Sequence, residues 1–425
     1  MLDIRYIREH RDDCLERLAL RGDPALADLI DRAIEADRER RELIGEVEGL
    51  KAERNARSRE IGERKREGAD ADDIVAEMQK VAARIRALDS ELTSVEQELQ
   101  SLLLLIPNLP DPRVPPGQEG EGEVVRAWGD PPTPDARFEP HWTIGERLGL
   151  LDLERGAKLT GSGFPLFVGQ GARLQRALIQ LMLDTHVSEH GYTELAPPYL
   201  VNRDSMTATG HLPKFEADAY RTDPDDLFLV PTAEVPVTNL YRGEILEGEV
   251  LPLAYVAYTP CFRREAGAAG KDTRGLLRVH QFDKVELVRF VAPARSEEEL
   301  EVLTGHAERV LELLELPYRR VLLPGGDLGF GNAMTYDLEA WAPGVEAWLE
   351  VSSCSNYGDY QARRANIRFR PEPADKPLHV HTLNGSGLAL ARVVVALLEN
   401  HQRPDGGVDL PAALRPYMGV DRLES

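Results

Sequence analysis

The stretch Cys261-Phe-Arg-Arg-Glu265 runs into a glycine-rich segment ending at Gly275, and an alternating run from Leu276 to Glu286 follows. Strand, flexible loop and strand make a hairpin. The two-residue period of a strand puts Arg263 and Glu265 on one face, and Phe282, Lys284 and Glu286 on one face of the partner strand. An arginine beside a carboxylate, facing an aromatic ring, is what an adenine nucleotide requires. The guanidinium grips phosphate through two parallel bonds, the ring stacks on the base, and the carboxylate accepts from the exocyclic amine. The same residues would also serve as cross-strand ion pairs on a solvated sheet face.

Three further groups carry chemistry. In Leu349-Glu-Val-Ser-Ser-Cys-Ser-Asn356, Glu350 and Ser352 fall on one strand face with Ser353 following. A carboxylate beside hydroxyls offers hard oxygen ligands for Mg²⁺ bridging phosphates. From His381 to Arg392, Thr382, Asn384 and Ser386 alternate toward one side, and Gly385 and Gly387 admit close approach. A helix then begins, with Arg392 expected in its second turn, and a helix start plus a cation favours an anion. His379 and His381 face away from Thr382 and Asn384 with no third ligand nearby, so no metal is expected there. In Pro231-Thr-Ala-Glu234, Thr232 and Glu234 offer a hydroxyl and a carboxylate suited to an ammonium group.

These groups need a framework, and the length of 425 residues supplies two or three domains' worth of chain. Charged residues at 29% and apolar ones at 42% describe a folded, water-facing protein. The longest aliphatic run, Leu102–Ile106, is far short of the ~20 residues that span a bilayer, and the charged start from Met1 lacks a leader's apolar stretch. The expectation is a cytoplasmic protein without membrane contact. Cys14, Cys261 and Cys354 are scattered, with no Cys-x-x-Cys, and read as buried inert thiols. No structural zinc is expected. With 51 Lys+Arg against 73 Asp+Glu the net charge is −22, so any contact with nucleic acid must come from a local basic patch.

Such a patch lies in the first quarter. Ala33, Ala36, Arg40, Leu43, Val47, Leu50, Arg54, Arg57 and Ile61 step by three and four. So do Ile74, Met78, Val81, Ile85, Leu88, Leu92, Val95, Leu99 and Leu102. Sustained 3–4 spacing defines a coiled-coil seam, and the Gly68 region between them suits a reversal. The result is one antiparallel helical arm, on the order of 60 Å long. Near its turn Arg54 and Arg57 occupy seam positions, with Lys51, Arg64 and Lys65 close by. They form either a cationic strip for a phosphate backbone or a solvated face whose arginines lie over the partner helix. Prolines end the arm after Ile106, and a Pro/Gly-rich linker runs to about Pro140. Beyond it, short alternating runs and helical patterns at 172–190 and 297–314 predict an antiparallel sheet flanked by helices. The fold class is α+β, with residues 1–110 as the arm domain, 111–140 as linker and 141–425 as the catalytic domain.

Phe262-Arg-x-Glu265 with its hairpin resembles motif 2 of the class II aminoacyl-tRNA synthetases, Gly385 to Arg392 resembles motif 3, and Gly191-Tyr-x-x-Leu-x-x-Pro198 resembles motif 1. Adding Thr232-Ala-Glu234, Ala266-Gly-Ala-Ala-Gly270, Asp272-Thr-Arg-Gly275, His280-Gln-Phe-x-Lys-Val-Glu286, Glu399 to Gly406 and Leu414 to Gly419, the chain is similar throughout to seryl-tRNA synthetases of bacterial type. The resemblance implies a homodimer that joins L-serine to ATP as seryl-adenylate and then charges the 3′-terminal adenosine of tRNA-Ser. By the same resemblance Arg263 and Arg392 are catalytic, gripping the α- and γ-phosphates. Glu265, Val279, Phe282, Val351 and Ser352 complete the ATP site, and Glu350 and Ser353 hold Mg²⁺. Thr232, Ala233, Glu234, Glu286, Asn384 and Ser386 surround serine, while Lys51, Arg54, Arg57, Arg64 and Lys65 grip tRNA. Two positions depart from the family pattern: Gly163 stands where arginine is usual, and Lys271 replaces a frequent arginine.

Overall fold

The computed structural model describes residues 1–68, 70–134, 138–266 and 274–424. The chain divides into two compact units, one of Leu2–Ala19 with Asp23–Pro107, the other of Met1, Leu20–Gly22 and Asn108–Ser425.

In the first unit, the helices Ala25–Arg66 and Asp72–Leu105 pack against each other. A reversal of a few residues joins them, and Arg64 meets Asp73 across it at 3.7 Å, so the pair is antiparallel. Ile74, Met78, Ile85, Leu88, Val95, Leu99 and Leu102 are buried as the 3–4 spacing requires. Leu43, Val47, Leu88 and Val95 form one apolar cluster with Leu50 and Leu92 against it. Leu88 is fully enclosed, and emptying such a position to alanine costs about 2–5 kcal/mol. The seam of the first helix departs from the expected one at a single turn. Asp37 is buried there, and Arg8, Arg40 and Arg41 hydrogen-bond its carboxylate at 2.8–3.0 Å. Arg40 therefore lies beside the seam and neutralises a carboxylate within it.

The second unit is built on eight strands: β1 (Glu123–Trp128), β2 (Thr193–Leu195), β3 (Leu253–Phe262), β4 (Gln281–Val291), β5 (Tyr318–Leu322), β6 (Met334–Ala342), β7 (Ala347–Asn356) and β8 (His381–Ala389). Their order across the sheet is β1-β5-β6-β7-β8-β4-β3-β2, and only the β2–β3 edge pair is parallel. Strand β1 lies within the span expected to be a linker. Its alternation was not legible because Val124, Arg126 and Trp128 are all exposed on an edge strand.

The helix Gln170–Ser188 contacts both Ser296–Leu313 and Leu390–Asn400, and the three cover one face of the sheet. Alternation in β4 sorts its two faces. Val285, Leu287 and Val291 join Leu178, Leu303 and Leu397 in the main core, whereas Phe282, Lys284 and Glu286 line a cleft on the opposite face. Beyond the cleft, Val288 and Phe290 on that same face pack with Ala233, Val237 and Ile367. The three cysteines are buried and unpaired.

Candidate active site

The cleft encloses about 370 Å³ and draws its walls from β4, β7 and β8, the segment after β3, and the start of the helix Leu390–Asn400. Its buried end is anionic. Glu286 and Glu234 are 2% and 7% exposed, and Lys284 forms a close ion pair with Glu286. Thr232 Oγ1 donates to Glu286 at 3.1 Å, and Gln361 donates to Glu234 at 2.6 Å. Burial pushes both carboxyls above the usual carboxylate range, with Lys284 the largest opposing influence on each. Two carboxylates thus share one ammonium, leaving room in the charge balance for a second cation.

The outer end is cationic. Arg263 continues the hairpin past the end of β3, its N–H donating to the His280 carbonyl at 2.9 Å, and its guanidinium lies 5.3 Å from the centre of the Phe282 ring. Glu265 pairs with Arg278 at 2.6 Å. Arg392 donates to the carbonyls of Leu277 at 3.1 Å and Glu350 at 2.9 Å. The helix begins at Leu390, so Arg392 stands in its first turn and not the expected second, close to the free N–H groups that also attract anions.

The structure brings together Thr232, Glu234, Arg263, Glu265, Val279, Phe282, Glu286, Glu350, Val351, Ser353, Asn384, Ser386 and Arg392 around this one cleft. Ser352 and Ala233 are not on its wall. A bulge between Glu350 and Ser352 breaks the alternation of β7, so Ser352 turns away and donates to the Ser386 carbonyl at 2.6 Å. The Ala233 methyl is buried in the apolar cluster with Val237 and Val288. On the arm helix, Lys51 pairs with Asp89, Arg57 with Glu60, and Arg64 with Glu60 and Asp73. Arg54 and Lys65 have no ionic partner among the described residues. Lys271 lies outside the described residues. Gly163 adopts φ +82, and a Cβ there would fall 2.4 Å from the His280 ring, so the departure from arginine follows from how closely His280 packs.

A family model for the seryl-tRNA synthetase N-terminal domain matches residues 1–110, and one for the class II tRNA synthetase core domain (G, H, P, S and T) matches residues 214–401. The serine–tRNA ligase of Gemmatimonas aurantiaca is 55% identical over 420 residues, covering 99% of each chain. The chain belongs to the seryl-tRNA synthetase family. Another member, the serine–tRNA ligase of a Geobacillus species, is 58% identical over 420 residues, again 99% of each chain. The seryl-tRNA synthetase of Pyrococcus horikoshii, solved in complex with ATP, superposes with a TM-score of 0.95 at 38% identity, covering 100% of this chain and 99% of that one.

The wall of the cleft also suits a divalent cation. Burial and then Glu350 push the Asp337 carboxyl well above the usual carboxylate range, and one Asp337 oxygen is buried without a hydrogen-bond partner. This carboxylate excess next to Glu350 and Ser353 fits a hard cation that phosphate oxygens help to hold. Among the described residues, no group of three His, Cys, Asp or Glu side chains could hold a metal by itself, and no helix is long and apolar enough to cross a membrane.

Lys284, Arg278, His211 and Tyr357 are among the cleft residues to which sequence reasoning gave no role. The alternation of β4 does put Lys284 on the correct face. Arg278 sits in the irregular segment before β4, where no period applies. His211 and Tyr357 also come from segments between elements. His211 meets Thr209 Oγ1 at 2.9 Å, and burial, then Arg263, pushes its imidazole down to about 3.

Proposed function

We propose that the cleft activates L-serine with ATP and passes the seryl group to the 3′-terminal adenosine of tRNA-Ser. The observation that carries this reading is the polarity of the cleft. Two carboxylates sharing one lysine at its buried end match an α-ammonium group, and two guanidiniums at its outer end match a polyphosphate. In the first step a serine carboxylate oxygen attacks the α-phosphorus, and the bond to the β-phosphate oxygen breaks, releasing diphosphate. In the second, a ribose hydroxyl of the terminal adenosine attacks the seryl carbonyl carbon, losing its proton as AMP departs.

The residues act by position and charge, without a covalent enzyme intermediate. Arg263 holds the α-phosphate and stabilises the charge that builds on it, Arg392 holds the γ-phosphate, and Phe282, Val279, Val351 and Glu265 seat the adenine. Glu234 and Glu286 orient the ammonium so that the serine carboxylate faces the α-phosphorus. Thr232, Asn384 and Ser386 surround the rest of the amino acid. A pocket whose buried polar groups need the serine hydroxyl leaves them unpaired with alanine, and that is how alanine is rejected. Mg²⁺, held by Glu350 and Ser353 with the phosphates, would supply Lewis-acid neutralisation of the diphosphate charge.

Residues 1–110 bind tRNA, 111–140 connect, and 141–425 catalyse. Between Lys51 and Arg66 seven cations stand against three carboxylates, a local reversal of the chain's acidic balance that supports a grip on the long variable arm of tRNA-Ser. The working form is a homodimer in the cytoplasm. In support of dimerisation, β2 is an edge of the sheet, and Tyr199 and Leu200 just beyond it are each 44% exposed.

ATP–diphosphate exchange across the twenty amino acids tests the reading. Serine alone should support exchange, and Arg263→Ala should lower it by about 10³-fold. Exchange with another amino acid, or retained exchange in the variant, would refute it.

A further inference from the structure

Strand β8 does not run straight past the cleft. Ser386 pairs with Glu286 and Leu388 with Val285, so Gly387 is an extra residue, a bulge in the ladder. The bulge inverts the phase of the strand. Ser386 and Ala389, an odd number of residues apart, both line the cleft because of it. A bulge leaves carbonyls without ladder partners, and here each of the two finds a side chain. Ser352 Oγ donates to the Ser386 carbonyl at 2.6 Å, and His186 Nε2 lies 3.2 Å from the Gly387 carbonyl.

His186 belongs to the last turn of the helix Gln170–Ser188 and is wholly buried. A Cβ on Gly387 would fall 2.7 Å from its Nε2, so glycine is what lets the ring reach the strand. A carbonyl can only accept, which places the proton on Nε2. Nδ1 then accepts from His190 Nδ1–H at 3.0 Å. The His190 ring stacks on His306 at 3.9 Å, and His306 Nδ1 meets the Tyr192 hydroxyl at 3.2 Å. That hydroxyl accepts from Arg289 at 3.1 Å, and Arg289 pairs with Glu299 at 2.5 Å. Burial holds His186 neutral, down at about 4, which preserves this arrangement of donors and acceptors at neutral pH.

We propose that His186 is a positioning residue of the serine site, fixing through the Gly387 carbonyl the bulge that directly follows Ser386 and thereby the backbone that carries its side chain. The proposal rests on the reading of Asn384 and Ser386 as serine-binding residues. The bulge adjoins Ser386 directly, whereas Arg392 lies five residues on, inside the helix that begins at Leu390, so the effect falls chiefly on the amino acid.

The test compares full-length His186→Leu, which keeps bulk without a donor, with His186→Gln, which keeps an N–H of similar reach. Serine and ATP KM are measured by diphosphate exchange. His186→Leu should raise the serine KM about tenfold, the worth of one buried hydrogen bond, with a clearly smaller change in the ATP KM. His186→Gln should recover most of the loss. Equal rises in both constants, or an unchanged serine KM in either folded variant lacking the donor contact, would overturn the proposal. Should His186→Leu fail to fold, Gly387→Ala presses on the same nitrogen from the strand side. A serine-selective rise there supports the proposal, and an unchanged serine KM removes it. Ser386→Ala separates the two layers of inference. If it leaves the serine KM unchanged, the serine-site reading itself fails, whereas an effect at Ser386 without one at His186 defeats this proposal alone.

Discussion

In the helical arm, Leu88 is buried because a seam repeats every three or four residues along each of two helices. In the cleft, Ser386 and Ala389 share one wall because a bulge interrupts β8 between them and two side chains distant in sequence hold the carbonyls it frees. The first arrangement is local and redundant, since neighbouring turns repeat the same instruction. The second is unique and depends on partners near residues 186 and 352. Damage should therefore spread differently in the two regions. A change in the arm should alter tRNA handling and leave serine activation alone, and a change in the cleft should do the reverse.

The most severe break in that contrast is removal of residues 30–100. Charging of tRNA-Ser should fall by at least about 10³-fold, the scale of a lost polycationic grip. Serine-dependent diphosphate exchange should stay within about threefold, because no cleft residue is removed. Parallel rate measurements of the two steps check this, and a common loss of both would show that the regions are not separable.

The same contrast explains which features the sequence made legible. Ile85, Leu88 and Val95 could be assigned to a core from spacing alone, and Phe282, Lys284 and Glu286 to a single face from alternation. Period-based reading then broke where the backbone slips. Ser352 shares its expected face with Glu350 only if β7 is regular, and the bulge between them turns it away. Edge strand β1 exposes both faces, so its residues carry no apolar rhythm. Asp37 in the arm is buried only because arginines surround it, one of them from a separate helix. Arg278 and His211 come from segments without a period, and nothing short of the folded chain brings them to the cleft.

A smaller effect sharpens the electrostatic half of the comparison. Burial raises the Glu234 and Glu286 carboxyls above their ordinary range, so on acidification they take up protons before exposed carboxylates do. An ammonium ligand favours the ionised forms. Serine binding should therefore weaken as pH falls toward the usual carboxylate range near about 4, by up to about tenfold per pH unit for one proton taken up. The serine KM should rise on the acid side while tRNA affinity, set by arginines and lysines, does not follow the same curve. A serine KM flat between neutrality and the point of acid unfolding would contradict two raised carboxyls facing the ammonium.

The smallest effects belong to single cations of the arm. Arg54 has no ionic partner among the described residues, whereas Arg57 is already committed to Glu60 at 2.9 Å. An exposed ion pair is worth only about 0–1 kcal/mol, yet that amount must be given up before Arg57 can turn to a phosphate. Arg54→Ala should thus weaken tRNA binding by several-fold and flatten the salt dependence of log Kd by about one unit of slope. Arg57→Ala should do less on both counts, and neither should alter diphosphate exchange. Titrations of tRNA-Ser at several salt concentrations decide the ranking. If Arg57→Ala proves the more harmful, the Glu60 pair is not the resting state of that arginine when RNA arrives, and the arm's charge pattern is reorganised by the ligand instead of being presented ready-made.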